Sequence, residues 1–312
     1  MRPICVMTMS LLKFSPVLLG LIAATTPGNL AAQTSAPPPP REIVVLHDVV
    51  TGKGGGRDLH AEVAYPEDAN TPLPAVIFIH GGGWIGGSYK QAPLQELARA
   101  GYFAASIEYR LSNEAKWPAQ IEDCKLAVRW LRANAAKYKV DPNRIGAWGA
   151  SAGGHLVACL GTMANQKQFE GDGGYPNVSS AVQAVVDYFG PTDFTNLSPM
   201  IYSFPAIQLT TMLFGVPHDR DPNLWKSGSP AAYVKAGDPP MLLVHGDSDG
   251  LVPIGQSIIF DAALTKAGVP HQFVIVKNAD HGFAARPGKT IDPSAAGITR
   301  LTLAFLAKYL KP

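Results

Sequence analysis

Residues 146–162 read GAWGASAGGHLVACLGT. A short apolar run, 144–149, ends at Gly149. Ser151 then stands between Gly149 and Gly153, and a helix-like stretch, 152–163, follows. Strand, sharp turn and helix form the setting in which a serine hydroxyl is lifted clear of a sheet edge. The flanking glycines permit the turn and close packing, and the helix N-terminus favours developing negative charge. The same letters also suit a small residue that only lets a helix pack close to a strand. In a chain of 312 residues with 31 glycines the pattern is only moderately specific. The rest of the chain decides between the two.

Working outward, EIVVLHDVV (42–50) and LHAEVAY (59–65) alternate around a Gly-rich turn, which predicts an antiparallel hairpin. The later runs are AVIFIH (75–80), YFAASIEY (102–109), RIGAWG (144–149), AVQAVVDYF (181–189), MLLVHG (241–246) and QFVIVK (272–277). They are continuous and apolar, as parallel strands buried on both faces are. Helix-like stretches lie between them at 90–100, 118–136, 152–163, 254–267 and 293–310. In 118–136, Ile121, Cys124, Val128, Leu131 and Ala135 recur at three and four, while Glu122, Lys125, Arg129 and Arg132 take the other face. That is an amphipathic helix lying on a sheet. The alternation predicts an α/β fold: a mostly parallel sheet of about eight strands with helices on both faces. Residues 194–228 break the rhythm and read as a small cap-like insertion over a cleft or as a packed connection.

HGGGW (80–84) follows the third strand. Its glycines let backbone N–H groups turn toward one point. Gly82 and Gly83, with the N–H of Ala152, are candidate donors to the oxyanion of a tetrahedral intermediate. A phosphate loop would continue with lysine and serine, and this one does not. A hydroxyl attacks poorly unless a base takes its proton, and the base needs an orienting carboxylate. The C-terminal third offers both, each just after a strand: LLVHGDSDGLVP (242–253), then VIVKNADHGF (274–283). Asp249 is the candidate acid, with Asp247 a second possibility nearer the strand. His281, in a loop beyond its strand, is the candidate base. His271 starts that strand, at the wrong end of a parallel sheet, and His80 and His245 end strands, where packing or turn roles are expected. Trp84 is expected to line the acyl pocket, and Tyr188 and Phe189 to wall the cleft. Tyr202, Phe204 and Met212 read either as contacts to an aromatic acyl group or as core.

HGGGW, EYRL, WGASAGGHL, AVVDYFGPTDF, HGDSDGLVP and ADHGF occur in that order. Together they resemble the α/β-hydrolase esterases, and nearest the bacterial carbohydrate and feruloyl esterases related to the hormone-sensitive-lipase group. The resemblance runs from about residue 42 to the end. It implies a serine carboxylic-ester hydrolase of α/β-hydrolase fold, with Ser151, Asp249 and His281 as triad and Gly82, Gly83 and Ala152 as oxyanion hole. It implies acetyl or feruloyl esters of carbohydrates as substrates. No cofactor is expected, and EGDGGYPNVSS (170–180), acidic and turn-rich, lacks the regular acidic spacing of a calcium loop, so no metal is assigned. A serine peptidase of the same fold, or a non-catalytic ligand-binding relative, are the rival expectations.

Residues 1–32 read as a secretory signal peptide. Arg2 and Lys13 precede a run, FSPVLLGLIAA (14–24), that is too short for a membrane span and carries Pro16, with Pro27 beyond it. QTSAPPPP opens a Pro-rich linker, 33–41, ahead of one hydrolase domain, 42–312. The expected product is secreted or periplasmic, with no stable membrane anchor after cleavage. Cleavage takes two of the 26 basic residues and none of the 24 acidic ones, so the remaining charge is balanced. No Lys/Arg cluster argues for nucleic acid. Cys124 and Cys159 sit among apolar neighbours and are expected as buried thiols, not a disulfide framework.

Overall fold

The computed structural model describes residues 41–311 apart from Gln91, Pro199 and Met200. The expected signal peptide, 1–32, and linker residues 33–40 lie outside the described residues. Eight strands form one sheet: β1 (Ile43–Gly54), β2 (Arg57–Pro66), β3 (Leu73–Ile79), β4 (Phe103–Ile107), β5 (Val140–Ala150), β6 (Ala184–Tyr188), β7 (Met241–Gly246) and β8 (His271–Val276). Their order across the sheet is β1-β2-β4-β3-β5-β6-β7-β8. β1 and β2 form the expected antiparallel hairpin, β2 pairs antiparallel with β4, and every later pairing is parallel.

Among the described residues six α-helices lie between the strands, α1 (Leu94–Arg99), α2 (Ala119–Ala133), α3 (Ala152–Thr162), α4 (Phe204–Phe214), α5 (Pro222–Ser227) and α6 (Gly255–Ala267), and a seventh, α7 (Ala295–Leu310), follows β8. Strand side chains point alternately to opposite faces, and two apolar cores result. Ala75, Ile77 and Ile79 of β3 face one core with α2, α3 and α6. Val76 and Phe78 face the other with α1 and α7. Among the described residues no helix is long and apolar enough to cross a membrane. Cys124 and Cys159 are free and buried, and burial raises both thiol pKa values.

One side of α2 departs from expectation. The amphipathic reading leaves Lys125 and Arg129 facing water, but their side chains are 0% and 3% exposed. The segment after α3 folds back over them. Lys125 Nζ donates to Met163 O at 2.8 Å and to Glu170 Oε1 at 2.7 Å, and Arg129 Nη1 donates to Glu170 Oε2 at 2.6 Å. A buried charge is tolerated when it is paired and hydrogen-bonded, and Glu170 serves both. Nearby, Arg110 grips Asp123 of α2, with Nε–Oδ2 and Nη2–Oδ1 both 2.8 Å. This is a structural tie between a strand end and a helix.

Strand register assembles the functional loops. Ile79 pairs with Gly149, Ala150 with Tyr188, Tyr188 with Val244 and Gly246 with Val276. The C-terminal ends of β3, β5, β6, β7 and β8 therefore lie side by side. Loops leaving that edge carry the 80s, Ser151, Phe189, Asp249 and His281. Ligands of open α/β sheets bind at this edge.

Candidate active site

Ser151 has φ 56° and ψ −118°, a region that costs a non-glycine residue energy and persists only where the surroundings enforce it. Its N–H donates to Tyr188 O at 2.8 Å, and its carbonyl accepts from His155 N at 2.9 Å. The close packing belongs to the neighbouring glycines. A Cβ on Gly149 would lie 2.3 Å from Gly153 O, and one on Gly153 would lie 2.0 Å from Ile79 O. The glycines let α3 sit against the sheet, and Ser151 is the residue held up at the turn.

His281 Nε2 lies 3.0 Å from Ser151 Oγ, and His281 Nδ1 lies 2.8 Å from Asp249 Oδ2. The carboxylate can only accept, so Nδ1 carries the ring proton and Nε2 is free to accept from the serine hydroxyl. The other Asp249 oxygen accepts from Leu251 N at 3.0 Å and Val252 N at 2.8 Å. Burial alone would push the Asp249 carboxyl up. Hydrogen bonds from His245 and His281, the His281 charge and the Val252 N–H outweigh it and hold the group well below the usual carboxylate range. Asp247 stays exposed and accepts from Ser248 Oγ at 2.9 Å. Asp280 ties the base loop, accepting from His281 N at 2.7 Å and Gly250 N at 2.9 Å.

The glycine loop turns beside Ser151. Gly82 and Gly83 have φ 112° and 61°. The Gly82 carbonyl accepts from the N–H groups of Ile85 and Gly86, both at 3.1 Å. A Cβ on Gly82 would lie 2.3 Å from Gly86 O, so only glycine fits. Ala152 is the first residue of α3, and its N–H has no partner within the helix. The positive end of the α3 dipole sits at the same place.

An apolar cavity of about 30 Å³ opens beside Ser151, lined by Gly83, Trp84, Ala152, Pro191, Tyr202, Ala206, Leu209, Leu251 and Val252. Trp84 both lines it and packs, its ring edge-on to His155 at 5.3 Å and Phe194 at 6.0 Å. Tyr188 and Phe189 do not line it. Period-two alternation along β6 turns Tyr188 to the α7 face, where its hydroxyl bonds Thr302 and its ring meets Trp148 at 5.3 Å. Phe189 stands edge-on to the His281 ring at 4.8 Å and backs it. The insertion 194–228 serves two ends. Phe194, Leu213, Phe214 and Trp225 join the core, while Tyr202, Ala206 and Leu209 face the cavity. Phe204 and Met212 are 71% and 46% exposed and belong to neither. A larger polar cleft of about 420 Å³ includes Arg57, His80, Glu108 and Glu114. Its charges satisfy one another, Arg57 donating to Glu108 at 2.9 Å and to Glu114 at 3.0 Å.

Two groups around the site escaped the sequence reading. His245, expected in a packing or turn role, has its Nε2 2.8 Å from Val252 O and 3.5 Å from Asp249 Oδ2, so it also braces the Asp249 loop. Asp187, a lone carboxyl in the apolar run of β6, lies beneath the start of α3. One oxygen accepts from Gly190 N at 2.9 Å, and the other has no partner among the described residues. A single acid inside an apolar strand was the available signal. Burial pushes the Asp187 pKa up from 3.8 to about 6, against the Gly190 N–H and the His245 charge. Between those values the folded state holds a proton that the unfolded state has released, so stability falls as pH rises through that window. The penalty at neutral pH is on the order of 3 kcal/mol. Asp187→Asn keeps the acceptor for Gly190 and removes the charge. Its Tm relative to wild type is expected to rise between pH 4 and pH 8. A difference that stays flat across that range would show that Asp187 does not titrate there.

A mostly parallel sheet with a strained serine turn, a histidine and acid on the following loops, and a glycine loop alongside is the arrangement of an α/β-hydrolase. The chain belongs to the BD-FAE family, whose model matches residues 61–264. It is 35% identical over 241 residues to esterase LipQ of Mycobacterium tuberculosis, covering 76% of this chain and 56% of that protein. Among solved structures it is similar to a truncated carbohydrate esterase from gut microbiota, with TM-score 0.70, 32% identity, and coverage of 78% of this chain and 90% of that one. It is also similar to the propionate-bound esterase Est2 of Thermogutta terrifontis, with TM-score 0.68, 29% identity, and coverage of 88% and 97%. The chain spans a little over half the length of the first curated relatives it matches, 56% and 57%.

Proposed function

We propose that this protein hydrolyses carboxylic esters with short acyl groups, acetyl above feruloyl, carried on a carbohydrate alcohol. One observation carries the reading: the Asp249–His281–Ser151 hydrogen-bond chain ends at a cavity of about 30 Å³. A single water needs roughly 10–15 Å³ of such space, so the cavity suits a methyl-sized group and is far too small for a phenylpropenoyl one. The carbohydrate side rests on the relative named as a carbohydrate esterase, and propionate bound to a related esterase agrees with a short acyl group.

In this mechanism Ser151 Oγ attacks the acyl carbon while His281 Nε2 takes its proton. The Asp249 carboxylate orients the ring and stabilises the resulting cation. The N–H groups of Gly82, Gly83 and Ala152 hold the oxyanion. His281 returns the proton to the leaving alcohol. Water, deprotonated by His281, then releases the acid and frees the serine. No cofactor enters this scheme.

The test compares p-nitrophenyl acetate, butyrate, hexanoate and decanoate with methyl ferulate, acetylated xylan and an aminoacyl amide. The acetyl esters are expected to give a kcat/KM at least about tenfold above the hexanoate, the ferulate and the amide. Faster ferulate turnover would overturn the acyl assignment. Faster amide turnover would favour the peptidase, and binding without turnover a ligand-binding role.

A further inference from the structure

We propose that Leu209 sets the acyl-length limit of this site, and that shortening it joins the cavity beside Ser151 to an apolar groove on the outside of α4. The inference rests on the ester-hydrolase reading above. Leu209 lines both spaces, the cavity of about 30 Å³ and a groove of about 570 Å³ whose other walls are Pro205, Ile207, Gln208, Thr211 and Met212. Residues three and four apart share a helix face. Ala206 and Leu209 therefore look inward to Ser151, while Pro205, Gln208 and Met212 look outward. Leu209 lies at the border of the two faces, half-buried.

Its two methyl carbons lie 3.0 Å from where a Cβ on Gly83 would stand, so the side chain closes onto the glycine loop. The other inward groups of the helix segment offer no such opening. Ala206 is already small, and Tyr202 is buried with its hydroxyl bonded to Thr210. Among the described residues Leu209 is the one that lines both spaces, and its apolar side chain can be shortened without removing a polar contact. The groove it would open onto is largely apolar and suits an alkyl or aromatic acyl chain.

The experiment measures kcat/KM for p-nitrophenyl hexanoate and acetate in wild type, Leu209→Ala and Leu209→Val. The hexanoate-to-acetate ratio is expected to rise about tenfold or more in the alanine variant, with valine between, since a methylene or two of pocket length is worth 10- to 200-fold in discrimination. An unchanged ratio in either variant overturns the proposal. So does a wild type that accepts hexanoate as readily as acetate. Should the alanine variant fail to fold, the valine ratio decides. A wild type inactive on every ester would instead be the failure of the hydrolase reading, visible before any variant is compared.

Discussion

Ser151→Ala is expected to lower kcat/KM for p-nitrophenyl acetate by about 10⁴-fold or more while leaving the circular dichroism spectrum and Tm close to wild type. The size of the effect follows from what the side chain does in the structure. Its hydroxyl is the atom that reaches His281 Nε2 at 3.0 Å, whereas the packing of the turn falls to Gly149 and Gly153. Removing one oxygen therefore takes away the nucleophile and little of the scaffold. Residual turnover would come from the remaining base and the backbone N–H groups, which act without the serine. If the variant kept most of its activity, the serine would be a packing residue and the covalent mechanism wrong. Alanine at 151 tests this more cleanly than a substitution at either glycine, which would disturb α3 against β3 and β5.

Asp249→Asn is expected to cost about 10⁴-fold in kcat, with Asp247→Asn close to wild type. Both Asp249 oxygens are acceptors: one faces His281 Nδ1, the other two backbone N–H groups. An asparagine amide must turn its NH₂ toward one side or the other. Toward the histidine, it forces the ring proton onto Nε2, where the imidazole cannot accept from Ser151. Toward the loop, it opposes the N–H groups of Leu251 and Val252. Loss of the correct tautomer is worth about four orders of magnitude in serine hydrolases of this chemistry. Asp247 differs by two positions and points to solvent, which makes it the matched control. A large loss in Asp247→Asn with little in Asp249→Asn would reverse the assignment of the acid.

Much of the architecture is legible in the chain because each level agrees with the others. Alternation marks β1 and β2 as a hairpin, continuous apolar runs mark the parallel strands, and motif order follows strand order. Strand ends were the loose part: the run 181–189 holds only five strand residues, Ala184–Tyr188. What sequence could not supply is whatever depends on distant cover. Lys125 and Arg129 look like a solvated helix face until the Glu170 segment lies over them. Tyr188 sits at the right edge but on the wrong face. The choice between Asp247 and Asp249 is a matter of loop direction, and composition is silent on it. The pocket wall came from the irregular stretch 194–228, where no period shows that Tyr202, Ala206 and Leu209 look inward while Phe204 and Met212 look out.

The linear order of the strands also has a meaning in time. Ser151 and His281 are separated by 130 residues, and a ribosome adds roughly 5–20 residues per second. Ser151 therefore waits on the order of ten seconds for His281. As β5, β6 and β7 emerge in turn, one face of each stays bare, because Ile298, Phe305, Leu306 and Leu310 of α7 bury there only afterwards. The nascent chain thus presents a wide apolar plane to its surroundings until α7 is made.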